Sequence, residues 1–456
     1  MMASIGDTIG KRYRVMDIHL GGMGIVYVCY DYEWNKFVVL KTFQDRLFRS
    51  DKVQNNLKSE ALIWTELDRY PYIVHAYGVE ILDGRLFIKL EYVAPDNHNR
   101  NTLTHYLGCL RFSDILKIAI KCCYGMKYAY SKGVLAHRDI KPDNIMITAN
   151  MIAKLTDFGL ATAFQDMPSE NLNSTHQRDP SLSIFKSRGH SVCGTLPYMA
   201  PEQFDGKVDM RSDMYSFGIV LFRMVTDGKY PFTGRTPQEW EECHRKARVP
   251  AIFSPLLPII TKCLKKDPCD RYQNFFFLKE DLQERVRHYT GRKFVPVRVK
   301  QPKVQEIFSK GVTLSRLGKY EEALICLFRV TSIDPECIEA WRWIGWNLSV
   351  QNKYEDAITI YDKAIEKFPK LVELLHFKGF LLSRLRRYEE CIDCYQKALK
   401  MNPNIAGVWY NLGFVLYRLK QYKKAIECFD KVIVLNPTIK KAYKMKEKII
   451  KITNFS

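Results

Sequence analysis

Two different rules place apolar and polar residues along this chain, and they change over near residue 290. Before it, short runs of β-branched and aromatic residues are mixed with helix-like segments. Residues 13–30 read as strand, turn, strand about Gly21-Gly22-Met23-Gly24-Ile25-Val26, and Val38-Val39-Leu40-Lys41 reads as a buried strand. Leu86-Phe87-Ile88-Lys89-Leu90 reads as another, running into Glu91-Tyr92-Val93. After the change the chain repeats itself. Pro335, Pro369, Pro403 and Pro437 stand 34 residues apart, as do Tyr320, Tyr354, Tyr388 and Tyr422, and Gly311, Gly345, Gly379 and Gly413. Ala323, Ala357 and Ala425 keep the same step, with Cys391 in that slot of the third unit. Fixed small residues let paired antiparallel helices approach, and a Pro closes each pair because it cannot continue a helix. Each unit leaves an apolar face that its neighbour must cover. Four such units are expected over residues 304–437, then a capping helix over 440–451 with a polar outer face.

Composition adds bounds. A length of 456 residues suggests two or three domains, and 46% apolar residues suffice for real cores. No apolar run reaches the roughly 18 residues of a membrane span. The opening Met1-Met2-Ala3-Ser4-Ile5-Gly6-Asp7 lacks the charged and apolar regions of a secretory signal. A cytoplasmic protein is therefore expected. The 13 cysteines are scattered. Cys391 and Cys394 are spaced as a metal or redox pair would be, but no second pair of zinc-type spacing accompanies them. Small buried residues in a reducing compartment are the simpler reading. Lys and Arg exceed Asp and Glu by 70 − 50 = +20, with local excess at residues 285–303 and in the tail. That balance favours acidic partners, nucleic acid or anionic membrane. No recognised nucleic-acid motif accompanies it, and a solvated basic face explains it as well.

The chemistry is concentrated in one place. The chain reads His137-Arg138-Asp139-Ile140-Lys141-Pro142-Asp143-Asn144, then Asp157-Phe158-Gly159. Together these supply a base for a hydroxyl, a cation for a moving phosphoryl group, and oxygen ligands for Mg²⁺. The two motifs, in this order, resemble the eukaryotic-type Ser/Thr protein kinase family over about residues 10–289. The Gly-Gly-Met-Gly wording resembles the family's bacterial members. The 34-residue units, with Trp341 and Trp409 at the first aromatic position and Tyr361, Tyr395 and Phe429 at the later one, resemble tetratricopeptide repeats. The fold this implies is an α+β bilobal protein kinase fold followed by an all-α tetratricopeptide solenoid.

The kinase resemblance assigns roles. Gly21, Gly22, Gly24 and Val26 would cover the ATP phosphates, with His19 standing where the family prefers a further Gly. Lys41 would hold the α- and β-phosphates and pair with Glu60, whose rival is Glu66. Glu91 to Val93 would be the hinge whose backbone bonds adenine, with Leu90 at the back of the pocket. Asp139 is the expected base, Lys141 the cation on the γ-phosphoryl group, and Asn144 and Asp157 the Mg²⁺ ligands. Thr195 would bond the catalytic Asp and Lys, and Lys at 141 is the Ser/Thr rather than the Tyr type. Glu202 should find Arg271 as a buried ion pair, and Asp213 should brace the catalytic loop. The 44 residues between Asp157 and Glu202 hold Ser169, Ser174, Thr175, Ser181, Ser183, Ser187 and Ser191. A phosphate on one of them would bond Arg138 and order the segment; a plain polar loop is the alternative.

The expectation is thus an ATP- and Mg²⁺-dependent Ser/Thr protein kinase acting on protein hydroxyls. Its parts are a kinase domain at 10–289, a linker at 290–303, four repeats at 304–437, and a capping helix and tail at 438–456. By resemblance the first helix of each repeat lines a groove. Arg316, Arg384 and Arg418 recur there, with Val350 in the second unit, beside Trp346, Phe380 and Phe414. An Arg column next to aromatics suits an acidic or phosphorylated peptide; packing between repeats with solvated Arg is the alternative. Two rivals for the catalytic half remain. A scaffold that only binds is favoured by His19 alone. A small-molecule kinase is opposed by Thr195 and Ala200-Pro201-Glu202, which form a peptide-docking shelf.

Overall fold

The computed structural model describes residues 3–20, 24–43, 58, 61–158, 183–187, 190–297 and 302–454. It divides the chain into two compact units, Met1–Pro302 and Lys303–Ser456.

The first unit begins with a sheet whose strands run in the order β1-β2-β3-β4-β6-β5. They are β1 (Thr8–Ile9), β2 (Tyr13–Leu20), β3 (Gly24–Asp31), β4 (Lys36–Phe43), β5 (Ala76–Leu82) and β6 (Arg85–Glu91), all paired antiparallel. Alternation fixes the register: Ile25, Tyr27 and Cys29 of β3 and Val38 and Leu40 of β4 are buried in one core. That register sets Val26 opposite Lys41, Lys41 opposite Ile88, and Val39 opposite Leu90.

Lys89 departs from the apolar reading of β6. It is buried, and its ammonium bonds Asp31 Oδ2 at 2.7 Å and Tyr13 Oη at 3.1 Å, over the Trp34 ring. Asp31 also receives Arg12 through two bonds of 2.7 Å. A buried ammonium needs such partners. Burial of Asp31 favours its neutral form, but the bonds from Arg12 and Lys89 outweigh that and hold its carboxyl down at about 2.

The rest of the unit is mostly helical. Helix α1 (Phe112–Ser131) lies against the hairpin of β7 (Ile145–Ile147) and β8 (Ala153–Leu155). Gly125 permits that approach, since a Cβ there would sit 2.8 Å from Leu155 Cδ1 and 2.8 Å from the Tyr72 carbonyl. A second hairpin pairs β9 (Ser183–Ser187) with β10 (His190–Gly194). Helix α2 (Met210–Val225) is the central buried helix, started by the Asp209 carboxylate on the Arg211 amide at 2.7 Å. Helices α3 (Pro237–Lys246), α4 (Leu257–Cys263) and α5 (Phe275–Thr290) follow. Asn274 caps the start of α5 and Gly291, at φ 69°, ends it.

The second unit is a run of paired helices. They are α6 (Val304–Arg316) with α7 (Tyr320–Ile333), α8 (Ile338–Val350) with α9 (Tyr354–Lys367), α10 (Val372–Arg384) with α11 (Tyr388–Met401), and α12 (Ala406–Arg418) with α13 (Tyr422–Leu435). Each second helix stops two residues short of Pro335, Pro369, Pro403 or Pro437. The indoles of Trp341 and Trp409 bond the Pro335 and Pro403 carbonyls at 3.0 and 2.7 Å, tying each Trp to the turn before it. Ala323, Ala357, Cys391 and Ala425 are fully buried where the helices of a pair cross. Burial pushes the Cys391 thiol up to about 12, so it rests as a protonated core residue. The final helix, α14 (Lys440–Asn454), buries Ala442 and Ile449 and runs beyond the expected 440–451. Among the described residues no helix is long and apolar enough to cross a membrane.

Candidate active site

The loop between α1 and β7 carries the first motif, and its shape is held from beneath. Asp213, at the start of α2, accepts from the amides of His137 at 2.6 Å and Arg138 at 2.8 Å, and from the Tyr130 hydroxyl at 2.8 Å. Arg138 adopts φ 71°, a conformation that L residues rarely take. The two amide bonds to the buried carboxylate supply what holds it. Burial raises the Asp213 carboxyl above its usual range, against the charge of His137 and the hydrogen bonds it accepts.

On this base four of the side chains singled out in the sequence converge. Asp139 Oδ1 accepts from the Thr195 hydroxyl at 2.8 Å. Lys141 Nζ donates to Thr195 Oγ1 at 2.9 Å and lies 2.9 Å from Asp139 Oδ2. Asn144 Nδ2 donates to the Asp139 carbonyl at 2.8 Å and to Oδ2 at 3.0 Å. That turns the Asn144 amide nitrogen toward Asp139 and leaves its oxygen as the group a cation could use. All four residues are buried.

Asp157 follows β8 and also has a positive φ, 64°. Its Oδ1 lies 2.8 Å from Lys41 Nζ, which β4 delivers from the sheet above. Burial favours the neutral carboxyl, but the charge and bond of Lys41, then the charges of Lys141 and His137, hold it below its ordinary range. Phe158 anchors the motif: fully buried, it packs on His137 at 4.6 Å and edge-on to Trp64 at 5.6 Å. His137 Nε2 bonds the Thr156 carbonyl at 2.9 Å, joining the two motifs directly.

At the expected hinge, Leu90 and Val93 are buried and the Glu91 amide donates to the His75 carbonyl at 2.8 Å. The Glu91 side chain has a task the sequence did not suggest, taking Lys154 at 2.9 and 2.7 Å. The Val93 carbonyl accepts from Asn101 at 3.3 Å. Gly24 and Val26 lie on β3 above Lys41. His19 is exposed near the end of β2 and lies 3.4 Å from Asp17. Gly21, Gly22, Glu60, Gly159, Ser169, Ser174, Thr175 and Ser181 lie outside the described residues, while Glu66 closes a helical stretch at 61–66. Ser183, Ser187 and Ser191 lie on the hairpin strands β9 and β10.

Glu202 and Arg271 meet as a two-pronged pair at 2.7 and 2.8 Å, and the same guanidinium bonds the carbonyls of Lys265, Lys266 and Arg211. Its two bonds to Glu202 hold the shelf after Thr195, and its three carbonyl bonds anchor the guanidinium to the start of α2 and the turn after α4.

Comparison with known proteins identifies the family of each half. The protein kinase domain family matches residues 14–283. Tetratricopeptide repeat families match 308–371 and 406–439, and a TPR repeat family matches 386–420. A probable serine/threonine-protein kinase of Clostridium perfringens is 32% identical over 289 residues, covering 61% of this chain and 39% of that protein. The serine/threonine-protein kinase PknB of Mycobacterium leprae is 31% identical over 297 residues, covering 62% and 44%. The chain thus spans less than half the length of these relatives. Among solved structures, a PknI kinase domain of Mycobacterium tuberculosis is similar with a TM-score of 0.43 and 21% identity, over 62% of this chain and 99% of that one.

Proposed function

This chain belongs to the protein kinase family, and from that we propose that it transfers the γ-phosphoryl group of ATP to Ser and Thr hydroxyls of proteins. One observation carries the reading: Asp139, Lys141, Asn144 and Thr195 form a closed hydrogen-bonded set, with Asp157 ionised against Lys41 nearby. The donor set fits the cofactors. Asn144 and Asp157 offer the hard oxygen ligands that Mg²⁺ takes, and Lys41 and Lys141 offer cations for phosphate oxygens. Bound Mg²⁺–ATP supplies the transferable phosphoryl group and neutralises part of its charge.

The protein's part is positioning and charge. Asp139 orients the acceptor hydroxyl and takes its proton as the oxygen attacks. Thr195 and Asn144 hold that carboxylate through bonds of 2.8 Å to Oδ1 and 3.0 Å to Oδ2, and Asn144 also bonds the Asp139 main-chain carbonyl at 2.8 Å. Lys141, within reach of both Asp139 and Thr195, meets negative charge on the moving group. Lys41 holds Asp157 at 2.8 Å and would offer its charge to the nucleotide's phosphates. Leu90 would close the back of the nucleotide's pocket, the backbone of Glu91 to Val93 would bond the adenine edge, and Val26 would line the site from β3. Thr195 and the shelf after it favour a peptide acceptor over a small molecule. Phosphate on the segment before Glu202 would dock on Arg138 and raise activity.

The repeats, in this reading, select partners with an acidic or phosphorylated segment. Trp346, Phe380 and Phe414 retain 42%, 47% and 38% of their surface, so packing between repeats does not consume them. Arg384 and Arg418 are exposed on the helices of Phe380 and Phe414, Arg316 is exposed at the end of α6, and the Arg418 guanidinium lies 5.4 Å from the Phe414 ring centre. Equal affinity for neutral and acidic peptides would refute that partner class. A cytoplasmic setting suits the exposed free thiols of Cys109 and Cys269. The deciding experiment is transfer of label from ATP with Mg²⁺ to a Ser peptide. Label in the parent and none in Asp139→Asn or Asp157→Asn supports the kinase; nucleotide binding without transfer in the parent supports the scaffold.

A further inference from the structure

His244, on α3, has no exposed surface and lies outside the catalytic cluster. Its ring stacks on Trp240 at 5.7 Å and meets Phe232 at 5.5 Å and Phe204 at 6.1 Å. Both ring nitrogens are engaged. Nε2 lies 3.0 Å from the Leu196 carbonyl oxygen and Nδ1 lies 3.0 Å from the Tyr215 hydroxyl. A carbonyl only accepts, so Nε2 carries the proton, Nδ1 is the acceptor and Tyr215 donates. One neutral tautomer satisfies both partners. Burial supports that state, since it pushes the imidazole down to about 3.

The carbonyl it holds is well placed. Leu196 directly follows Thr195, whose hydroxyl joins Asp139 to Lys141. It opens the short turn Leu196–Tyr198, in which the Tyr198 amide bonds the Thr195 carbonyl at 2.9 Å. The Tyr198 carbonyl is held in turn by Ser216 of α2 at 2.7 Å. The backbone of the shelf is therefore tied to α2 through Ser216 and to α3 through His244. The His244 bond lies next to the catalytic threonine.

We propose that His244 is a positioning residue for the phosphoacceptor. It fixes the Leu196 carbonyl, and through that backbone sets both the Thr195 hydroxyl and the surface on which the acceptor peptide lies. It touches neither substrate nor nucleotide. The proposal rests on the kinase reading above.

The test uses the full chain, a Ser peptide and ATP, each varied in turn against His244→Gln, His244→Asn and His244→Phe. A Gln amide nitrogen reaches the place of Nε2 and can donate to Leu196; an Asn amide reaches only the place of Nδ1, toward Tyr215. Loss of the Leu196 bond is expected to lower kcat/KM for the peptide about tenfold in the Asn and Phe variants. KM for ATP should stay within about twofold, and Gln should recover most of the loss. Asn and Gln falling alike, in step with their melting temperatures, would reduce His244 to a packing residue and overturn the proposal. Peptide kinetics unchanged in all three would do the same. An inactive parent would instead overturn the kinase reading, and the proposal with it.

Discussion

Thr195 donates its hydroxyl to Asp139 Oδ1 at 2.8 Å although 56 positions separate them in the chain. The bond links the shelf to the loop that carries the proposed base. With Asn144 on Oδ2, it fixes the orientation of the Asp139 carboxylate. Replacing Thr195 by Val keeps the shape and removes both the donor to Asp139 and the acceptor for Lys141. A lost bond to a charged group is worth about 1.5–3 kcal/mol, so kcat should fall roughly 10- to 100-fold. Thr195→Ser should restore much of it. Initial rates at saturating ATP decide this; full activity in the Val variant would remove Thr195 from the machinery.

The pair of Glu202 and Arg271 predicts a stability effect rather than a chemical one. The Arg271 side chain is wholly buried and Glu202 retains 15%. Removing one partner strands the other charge in the core, at about 3–5 kcal/mol. Arg271→Ala should lower the first unit's unfolding free energy by that amount, read from a denaturant titration as a lower midpoint. Arg271→Lys should not rescue it, because a point charge cannot replace a fork that also serves three carbonyls.

Gly345 offers a test of the repeat packing. A Cβ added there would lie 2.3 Å from Tyr361 Cζ and 2.6 Å from its hydroxyl. Tyr361 is buried and cannot swing aside. Gly345→Ala should therefore destabilise the second unit by about 1–3 kcal/mol despite the better helix propensity of Ala. Adding Tyr361→Leu should relieve most of the loss in a thermal melt followed by circular dichroism. A neutral single variant would show that the helices of this pair can move apart freely.

These sites differ in how visible they were in the sequence. The repeats were legible because their packing is local. A Gly, an Ala and a Pro at fixed steps report one helix pair, and the next pair repeats the report. The loop bearing Asp139 was legible because its chemistry needs several residue types close together in sequence. Lys89 was not. It sits in a run that reads as an apolar strand, and its partners Asp31 and Tyr13 come from other strands. His244 was silent for the same reason: its meaning depends on Leu196, 48 positions away. The Glu91–Lys154 pair likewise joins residues that no local pattern connects. Buried polar partners are chosen by tertiary contact, and a single sequence does not list them.

The last prediction concerns acid. His244 is held at about 3 in the folded chain, against its ordinary value of 6.5. Burial is the main cause; the Leu196 carbonyl opposes it and the charge of Lys266 adds to it. Between those two values the unfolded chain binds a proton that the folded chain refuses. Stability must therefore rise with pH through this window and fall as pH drops below about 6.5, by up to about 1.4 kcal/mol per pH unit. Asp31 enters later and with the same sign: its carboxyl is held at about 2, so its contribution is present above 3.8 and is lost as pH falls below that. Denaturant titrations of the parent between pH 7 and pH 4.5 should thus show a steady loss. His244→Phe has no proton to bind in either state and should flatten that slope. An equal slope in the two proteins would mean that some other buried base governs the acid limb.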